Sequence, residues 1–393
     1  MNSYLAYKSN RTYVYWEYYW NRNYYPWKHL EKPESPRTPM NALISGPSAG
    51  GAWDPHDPAP RSVSHRFFDI VCPPEERRII NTREIKPAIY WEPNGRVIFE
   101  TWRKLLSEAP ERCIEIQPAE FTEDKVPQVF DLWFWGSGKC NDLWDEYRDC
   151  PVSRLLKTSH VVESAVARNL PLLTSKGPKP PLGASSEPFD RTIAVHIRRG
   201  DYDGFCIGLA QWNSTFYGWN LLPFLPDKFP YPPGWDVDRN ETIKTYLRHC
   251  FPTQELITNK IRASKKDYID AAKPGEVRFL DTVYILTNDK TEWVEDLMKM
   301  LVDDGWKHVV TTKLLELDSQ QKDVGQAVDM DFARRAAVFI GNGVSQMSIY
   351  FYSACDLNCF SGPLSPVMLI IDVSSIAKSQ LVHGFFEHLR NPG

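Results

Sequence analysis

The chain has 393 residues, 42% of them hydrophobic, and its 46 basic residues nearly balance 50 acidic ones, for a net charge of −4. A chain of this length exceeds one comfortable hydrophobic core and predicts two domains. The balanced charge argues against nucleic acid or an acidic membrane as the partner, so we expect a small ligand or a protein surface.

Cysteine spacing and sequons bear on metal binding and on the compartment. The eight cysteines lack the paired two-residue spacing of a zinc site, so structural zinc is not expected. Three sequons, at Asn10, Asn213 and Asn240, would accept glycans in the secretory pathway. No apolar run nears the ~18 residues that span a bilayer, and the start lacks a signal-peptide pattern. We therefore expect any targeting element or membrane anchor either to be absent or to lie upstream of residue 1.

The first half mixes aromatic strands with loops. Residues 1–30 are rich in Tyr and Trp, which either pack as strands and loops or stack sugar rings or bases. Residues 32–60 predict irregular surface, and "SGPSAGG" within them is either a loop or a phosphate cradle without the lysine of a P-loop. Strands are expected at 113–120 and 129–136 and a helix at 151–168. The residues at 176–190 predict a linker between domains 1–175 and 191–393.

The second half alternates strands and helices. Strands are predicted at 191–199, 277–289, 308–312 and 336–341. Helices are predicted at 290–305, at 320–336 and from about Ser345, and 238–265 is predicted to be helical with a loop. This alternation predicts an α/β fold with a parallel sheet covered by helices on both faces. Ligand sites in such sheets lie at the carboxyl ends of the strands.

The strand end "IAVHIRRGDY" carries unusual chemistry. Alternation along the strand directs His196 and Arg198 to one face and Ile197 and Arg199 to the other. A guanidinium matches phosphate oxygens with a rigid fork of donors. The alternatives are a buried Arg–Asp pair that fixes the turn, or an Arg-Gly-Asp adhesion tripeptide, which would need a protruding loop.

A second strand end, "AAVFIGNGVSQMS", leads into a helix that Ser345 caps, which is typical of an anion site. The two strand ends together predict a diphosphate site. Asp329, on the preceding helix, either accepts hydrogen bonds from a nucleoside or lies on a solvated face. Thr287, Asn288 and Asp289 either line the same site or start the next helix.

The motifs resemble those of protein O-fucosyltransferases and related GDP-fucose-dependent fucosyltransferases. His196-Ile197-Arg198 with Gly200-Asp201 matches the first family motif. Asp329, "FIGN" at 339–342 and Val344-Ser345 match the third. Fungal members share the early "ALISGP…GG…PR" region, which indicates a fungal-type homologue.

The resemblance implies a GT-B fold, with two Rossmann-like domains across a cleft, and inverting transfer of fucose from GDP-fucose to a protein or glycan hydroxyl. It also implies that the reaction needs neither a cofactor nor a metal ion, and that the protein is located in the Golgi or the endoplasmic reticulum. By position, Arg198 is catalytic; His196, Ile197, Arg198, Asp329, Ser345 and Gln346 bind the donor.

Two features depart from the family pattern. Gln346 and Met347 stand where the family has Ser and Phe, and we expect the given sequence to begin after the family's first glycine-rich turn. These departures leave open a catalytically weak homologue that binds a nucleotide sugar or glycan. A transferase for another nucleotide sugar is also open, because the fold does not determine the base or the sugar.

Overall fold

The computed structural model describes residues 1–19, 37–89, 94–117, 134, 138–174, 179–200, 202–211, 213–214, 216, 218–225, 229 and 239–342. The chain divides into two compact units between His160 and Val161. This division precedes the predicted linker because the residues after His160 pack on the second sheet. Asn169 Nδ2 donates to Glu316 O, and the Thr282 hydroxyl donates to Leu173 O. The limits of the two domains stay a prediction.

The first unit combines short strands with helices. Its described helices are α1 Asn2–Lys8, α2 Met40–Leu43, α3 His65–Val71, α4 Thr82–Ile89, α5 Gly95–Glu108, α6 Trp144–Asp149 and α7 Pro151–Arg154. Its described strands are β1 Val14–Tyr15, β2 Tyr18–Tyr19, β3 Arg37–Thr38, β4 Ile44–Ser45, β5 Val63–Ser64, β6 Arg78–Asn81, β7 Ile114–Gln117 and β8 Lys157–Thr158. β1 pairs with β5 and β6 with β7 in parallel, whereas β2–β3 and β4–β8 are antiparallel.

The core of the first unit forms around α5. This helix buries Ile98, Phe99, Trp102 and Leu106, whose three- and four-residue spacing makes one apolar face. The Tyr4 ring of α1 stacks on Phe99 with 5.0 Å between centroids. The aromatic residues described near the amino terminus therefore include packing residues, and those at 20–30 lie outside the described residues.

Two expectations for the first unit change. The helix predicted at 151–168 is wrong as a single element, because Ser45 and Lys157 pair between β4 and β8 and interrupt it. The "SGPSAGG" turn closes on itself, with Gly51 N donating to Gly46 O at 2.9 Å. Gly46 has φ 101°, and a Cβ there would collide with Leu155 O, so a glycine is needed here for packing.

The strand predicted at 113–120 is found at Ile114–Gln117, and the one at 129–136 falls almost entirely outside the described residues.

The second unit carries the predicted alternation. Its described helices are α8 His160–Asn169, α9 Tyr202–Gln211, α10 Arg239–Cys250, α11 Gln254–Asp270, α12 Glu292–Asp303, α13 Ser319–Lys322 and α14 Gly325–Arg335. Its described strands are β9 Thr192–Ile197, β10 Thr282–Thr287, β11 His308–Thr311 and β12 Val338–Ile340. The helix predicted at 320–336 is two helices, because an Asp318–Gln321 capping box starts a short helix that ends before Gly325.

The four strands form one parallel sheet in the order β11-β10-β9-β12, which confirms the predicted parallel α/β arrangement. One face presents Ile193, Val195 and Ile197 to an apolar core that includes Ile261 of α11 and Leu297 of α12. The other face presents Tyr284, whose ring stacks on Phe332 of α14 at 4.6 Å. At the amino edge, Arg191 and Asp281 form a buried ion pair that joins the starts of β9 and β10.

None of the helices among the described residues is long and apolar enough to cross a membrane.

Within the described part of the chain, two disulfides join cysteines that the sequence could not pair. Cys72–Cys113 lies in the first unit, and Cys206–Cys250 joins α9 to α10 in the second. Cys140 and Cys150 are buried thiols, while Cys355 and Cys359 lie outside the described residues.

Replacing both Cys206 and Cys250 by Ala should lower the free energy of unfolding by about 2–4 kcal/mol, because the unfolded chain loses a cross-link. Calorimetric unfolding of the variant and the wild type measures this loss. Each single Ala variant should cost about as much as the double variant. An unchanged unfolding transition in the double variant would contradict the pairing.

Candidate functional site

The direction of winding of the second sheet reverses beside β9. The chain adds β10 and then β11 on one side of β9, and returns to place β12 on the other, with Ile340 opposite Val195. In an open α/β sheet such a reversal leaves a crevice outside the carboxyl ends of the two strands. The two strand ends singled out by the sequence, after Ile197 and after Ile340, are therefore neighbours.

His196 and Arg198 occupy the sheet face that carries Tyr284. Tyr284 pairs in register with Ala194, and His196 follows Ala194 by two residues, about 7 Å, on the same face. His196 is 7% exposed, whereas Arg198 is partly buried with its Cζ 5.5 Å from the centroid of the Tyr202 ring. An imidazole and a guanidinium thus share one face at the carboxyl end of the central strand.

Asp329 belongs to the same face through Tyr284. The Tyr284 hydroxyl donates to Asp329 Oδ1 at 2.5 Å, and the Thr312 hydroxyl lies 2.8 Å from both carboxylate oxygens. Tyr284 and Thr312 were not recognised from the sequence; the available signal was a single aromatic residue within β10. The carboxylate is tied to the sheet and keeps lone pairs for a further donor, so the solvated-face alternative for Asp329 is wrong.

Burial changes the pKa of both His196 and Asp329. It lowers the pKa of His196 to about 3, assisted by the positive charge of Arg198, so the imidazole is neutral at pH 7. Burial also raises the pKa of Asp329 to about 6, although hydrogen bonds from Tyr284 and Thr312 favour the carboxylate. At neutral pH the site therefore offers a cation, a neutral imidazole and a carboxylate.

Arg199 extends to the opposite face, where it is enclosed. Its Cζ lies 3.7 Å from the centroid of the Phe251 ring and 4.1 Å from that of Trp293. Its Nη1 donates to Pro252 O at 3.4 Å, and its Nε lies 3.9 Å from Asp289 Oδ2. Burial lowers the pKa of Arg199 in spite of that carboxylate. Arg199 is thus a packing residue beneath the strand end.

The residues after β10 divide between two structural tasks. Asp289 Oδ1 accepts hydrogen bonds from the Thr291 N–H and hydroxyl, both at 2.7 Å, and Thr291 caps α12 by accepting from Trp293 N. Asn288 contacts the Arg199 backbone. Of the two interpretations of this segment, helix initiation holds for Asp289 and Thr291.

The remaining predicted donor-binding residues are a core side chain and two undescribed positions. The Ile197 side chain is 4% exposed and belongs to the apolar core. Ile197 can therefore contribute only its backbone to the carboxyl edge of the sheet, between His196 and Arg198. Ser345 and Gln346 lie outside the described residues, as do Asp201 and the helix predicted near Ser345. Gly200 has φ 73°, a left-handed conformation that suits glycine.

No cluster of three or more His, Cys, Asp or Glu side chains with the layout of a metal site occurs in the described part of the chain. Two carboxylates separated by one residue, Asp329 and Asp331, lie on α14, within the helix predicted at 320–336. The second carboxylate, Asp331, is 1% exposed and accepts from Arg334 at 2.7 Å, apart from the hydroxyls that hold Asp329.

No family model and no curated protein matches the chain. Among solved structures, the chain is similar to POFUT1 in complex with GDP, with 15% identity, a TM-score of 0.46 and coverage of 88% of this chain and 86% of that one. It is also similar to the apo form of POFUT1, with 13% identity, a TM-score of 0.45 and the same coverage, 88% and 86%. This similarity extends over most of both chains and says nothing about activity.

The buried imidazole predicts a loss of stability in acid. Between pH 6.5 and about 3 the unfolded chain binds a proton at His196 that the folded chain does not, so the free energy of unfolding falls as the pH falls. His196→Gln should remove this contribution, which is about 1.4 kcal/mol per pH unit. Urea unfolding of both proteins at pH 7.5, 6 and 5 measures the difference.

The matched control is His160→Gln, since His160 is exposed at the start of α8. This variant should keep the pH slope of the wild type. Equal slopes for wild type and His196→Gln would contradict a buried neutral imidazole.

Proposed function

We propose that the chain is a glycosyltransferase that transfers fucose from GDP-fucose to a hydroxyl of a protein or glycan acceptor, with inversion and without a metal ion. The observation that supports it best is the position of His196 and Arg198, which lie at the reversal point of the sheet on the face that also carries Asp329. The motif resemblance adds the donor identity and the GT-B class.

Arg198 is proposed as the catalytic guanidinium. When the acceptor hydroxyl oxygen attacks the sugar carbon, the bond to the phosphate oxygen breaks and its electron pair stays on the departing GDP. The hydroxyl proton passes to water or to a phosphate oxygen of that GDP. A preorganised donor at that oxygen lowers the barrier by ~3–4 kcal/mol. Arg198 is partly buried, which limits solvent screening and strengthens its interaction with a diphosphate.

His196 and Asp329 are proposed to hold the rest of the donor. A neutral His196 can donate one hydrogen bond to a phosphate or sugar oxygen without adding a second buried cation beside Arg198. Asp329, ionised above pH 6, can accept from N–H groups of the base or from ribose hydroxyls. By motif position, Ile197, Ser345 and Gln346 complete the proposed donor site, the two last covering the phosphates.

A second candidate is a homologue that binds the nucleotide sugar or a glycan without turning it over. The sequence feature that favours it is Gln346, where the family has Ser. The two candidates share the donor site and differ in turnover. A third candidate is transfer of a sugar from a nucleotide sugar other than GDP-fucose. The fungal-type assignment stays a prediction of the motif resemblance.

A secretory location, in the Golgi or endoplasmic reticulum, is also proposed. It is supported by Cys72–Cys113 and Cys206–Cys250, because disulfides persist in oxidising compartments. Two of the sequon asparagines, Asn10 and Asn240, are exposed.

Replacing Arg198 by Ala should reduce GDP release from GDP-fucose, in the presence of an acceptor, by about 10²–10³-fold. The fold should persist, because Arg198 is not part of the apolar core. Arg262→Ala is the matched control, since its guanidinium pairs with Asp304 on the surface. Turnover within a few-fold of wild type in Arg198→Ala would remove Arg198 from the mechanism.

Expression through a eukaryotic secretory pathway should add glycans at Asn10 and Asn240, which are exposed. Deglycosylation followed by peptide mass spectrometry locates them, and Thr12→Ala and Thr242→Ala should each remove one glycan. A protein from its native cells with neither glycans nor disulfides would contradict the secretory location.

A further inference from the structure

We propose that Asn288 is a positioning residue that holds the Arg198 guanidinium in its anion-binding orientation; this inference rests on the proposed function. Asn288 follows β10 directly, and its side chain reaches the neighbouring strand end. Its Oδ1 accepts from Arg199 N at 2.8 Å, and its Nδ2 donates to Arg199 O at 2.9 Å. One amide thus satisfies both backbone groups of the residue after Arg198.

This pair of hydrogen bonds lies where the regular sheet stops. The last register pair between the two strands is Thr287 with Ile197, and beyond it the backbone of β9 has no ladder partner in β10. The chain then turns through Gly200 at φ 73°. Asn288 therefore holds the backbone at Arg199, two residues beyond the last register pair, and defines where the chain leaves the sheet.

The Arg199 side chain fixes the same residue from the other face. Its guanidinium lies between the Phe251 and Trp293 rings and donates to Pro252 O. With backbone and side chain both held, Arg199 cannot rotate, and the direction of the Arg198 side chain, one residue earlier, is restricted too. Correct orientation of a reacting or binding group is a large part of what a site contributes.

The segment that encloses Arg199, residues 250–252, is also bonded to the residues that follow β12. Asn342 Nδ2 donates to Cys250 O at 2.9 Å, and Cys250 is disulfide-bonded to Cys206 of α9. Helix α9 begins at Tyr202, over whose ring the Arg198 guanidinium lies. The strand ends on both sides of the crevice therefore share one support, to which Asn288 adds two hydrogen bonds to the backbone of Arg199, the residue after Arg198.

The test is a double-mutant cycle on affinity for GDP, measured by calorimetry with wild type, Asn288→Ala, Arg198→Ala and the double variant. We expect Asn288→Ala to weaken GDP binding about ten-fold in the wild-type background and by less than two-fold in the Arg198→Ala background. Asn259→Ala, an exposed asparagine on α11, is the control and should bind GDP as wild type does.

The outcomes separate this inference from the proposed function. Failure of the wild type to bind GDP would refute the proposed function. GDP binding that Arg198→Ala weakens and Asn288→Ala leaves unchanged would refute only the positioning role, as would fully additive losses in the double variant. If Asn288→Ala does not fold, Asn288→Asp, which keeps the acceptor for Arg199 N–H, replaces it in the cycle, with an intermediate loss expected.

Discussion

The site depends on one constraint, the reversal of winding on either side of the central strand Thr192–Ile197. Because β10 and β12 flank this strand and their connections cover opposite faces, the carboxyl end of the strand stays open while its sides are paired. Packed side chains cover both faces of the strand along its length, so a charged side chain can reach a ligand at the open end. His196 and Arg198 lie where the topology leaves this opening.

The two faces of the strand end have different physical tasks. On one face, Ile193, Val195 and Ile197 pack in the apolar core, and Arg199 follows them between two aromatic rings. Each cation–π contact stabilises this arrangement by ~0.5–2 kcal/mol, so this face is held firmly. On the other face, Asp329 is held by hydroxyl groups and remains able to accept further hydrogen bonds. The rigid face limits how far the polar face can move, which is what preorganisation of a binding site requires.

Sequence periodicity was sufficient for the parallel sheet and for the strand end that carries His196 and Arg198, because alternation and apolar runs are local signals. It was insufficient for the residues that hold the site residues in place. Asn288 contacts Arg199 across 89 residues of sequence, and Tyr284 contacts Asp329 across 45, so neither pair is visible as a local pattern. The helix predicted at 151–168 failed because strand pairing with Ser45 overrode helical spacing.

The most direct measurement is calorimetric titration of the protein, expressed through a secretory pathway, with GDP-fucose, GDP-mannose and UDP-glucose in buffer containing EDTA. The prediction is that GDP-fucose binds most tightly of the three, with an affinity on the order of micromolar, in spite of the chelator. Binding of none of the three ligands, preference for UDP-glucose, or binding that appears only when EDTA is replaced by a divalent cation would contradict it.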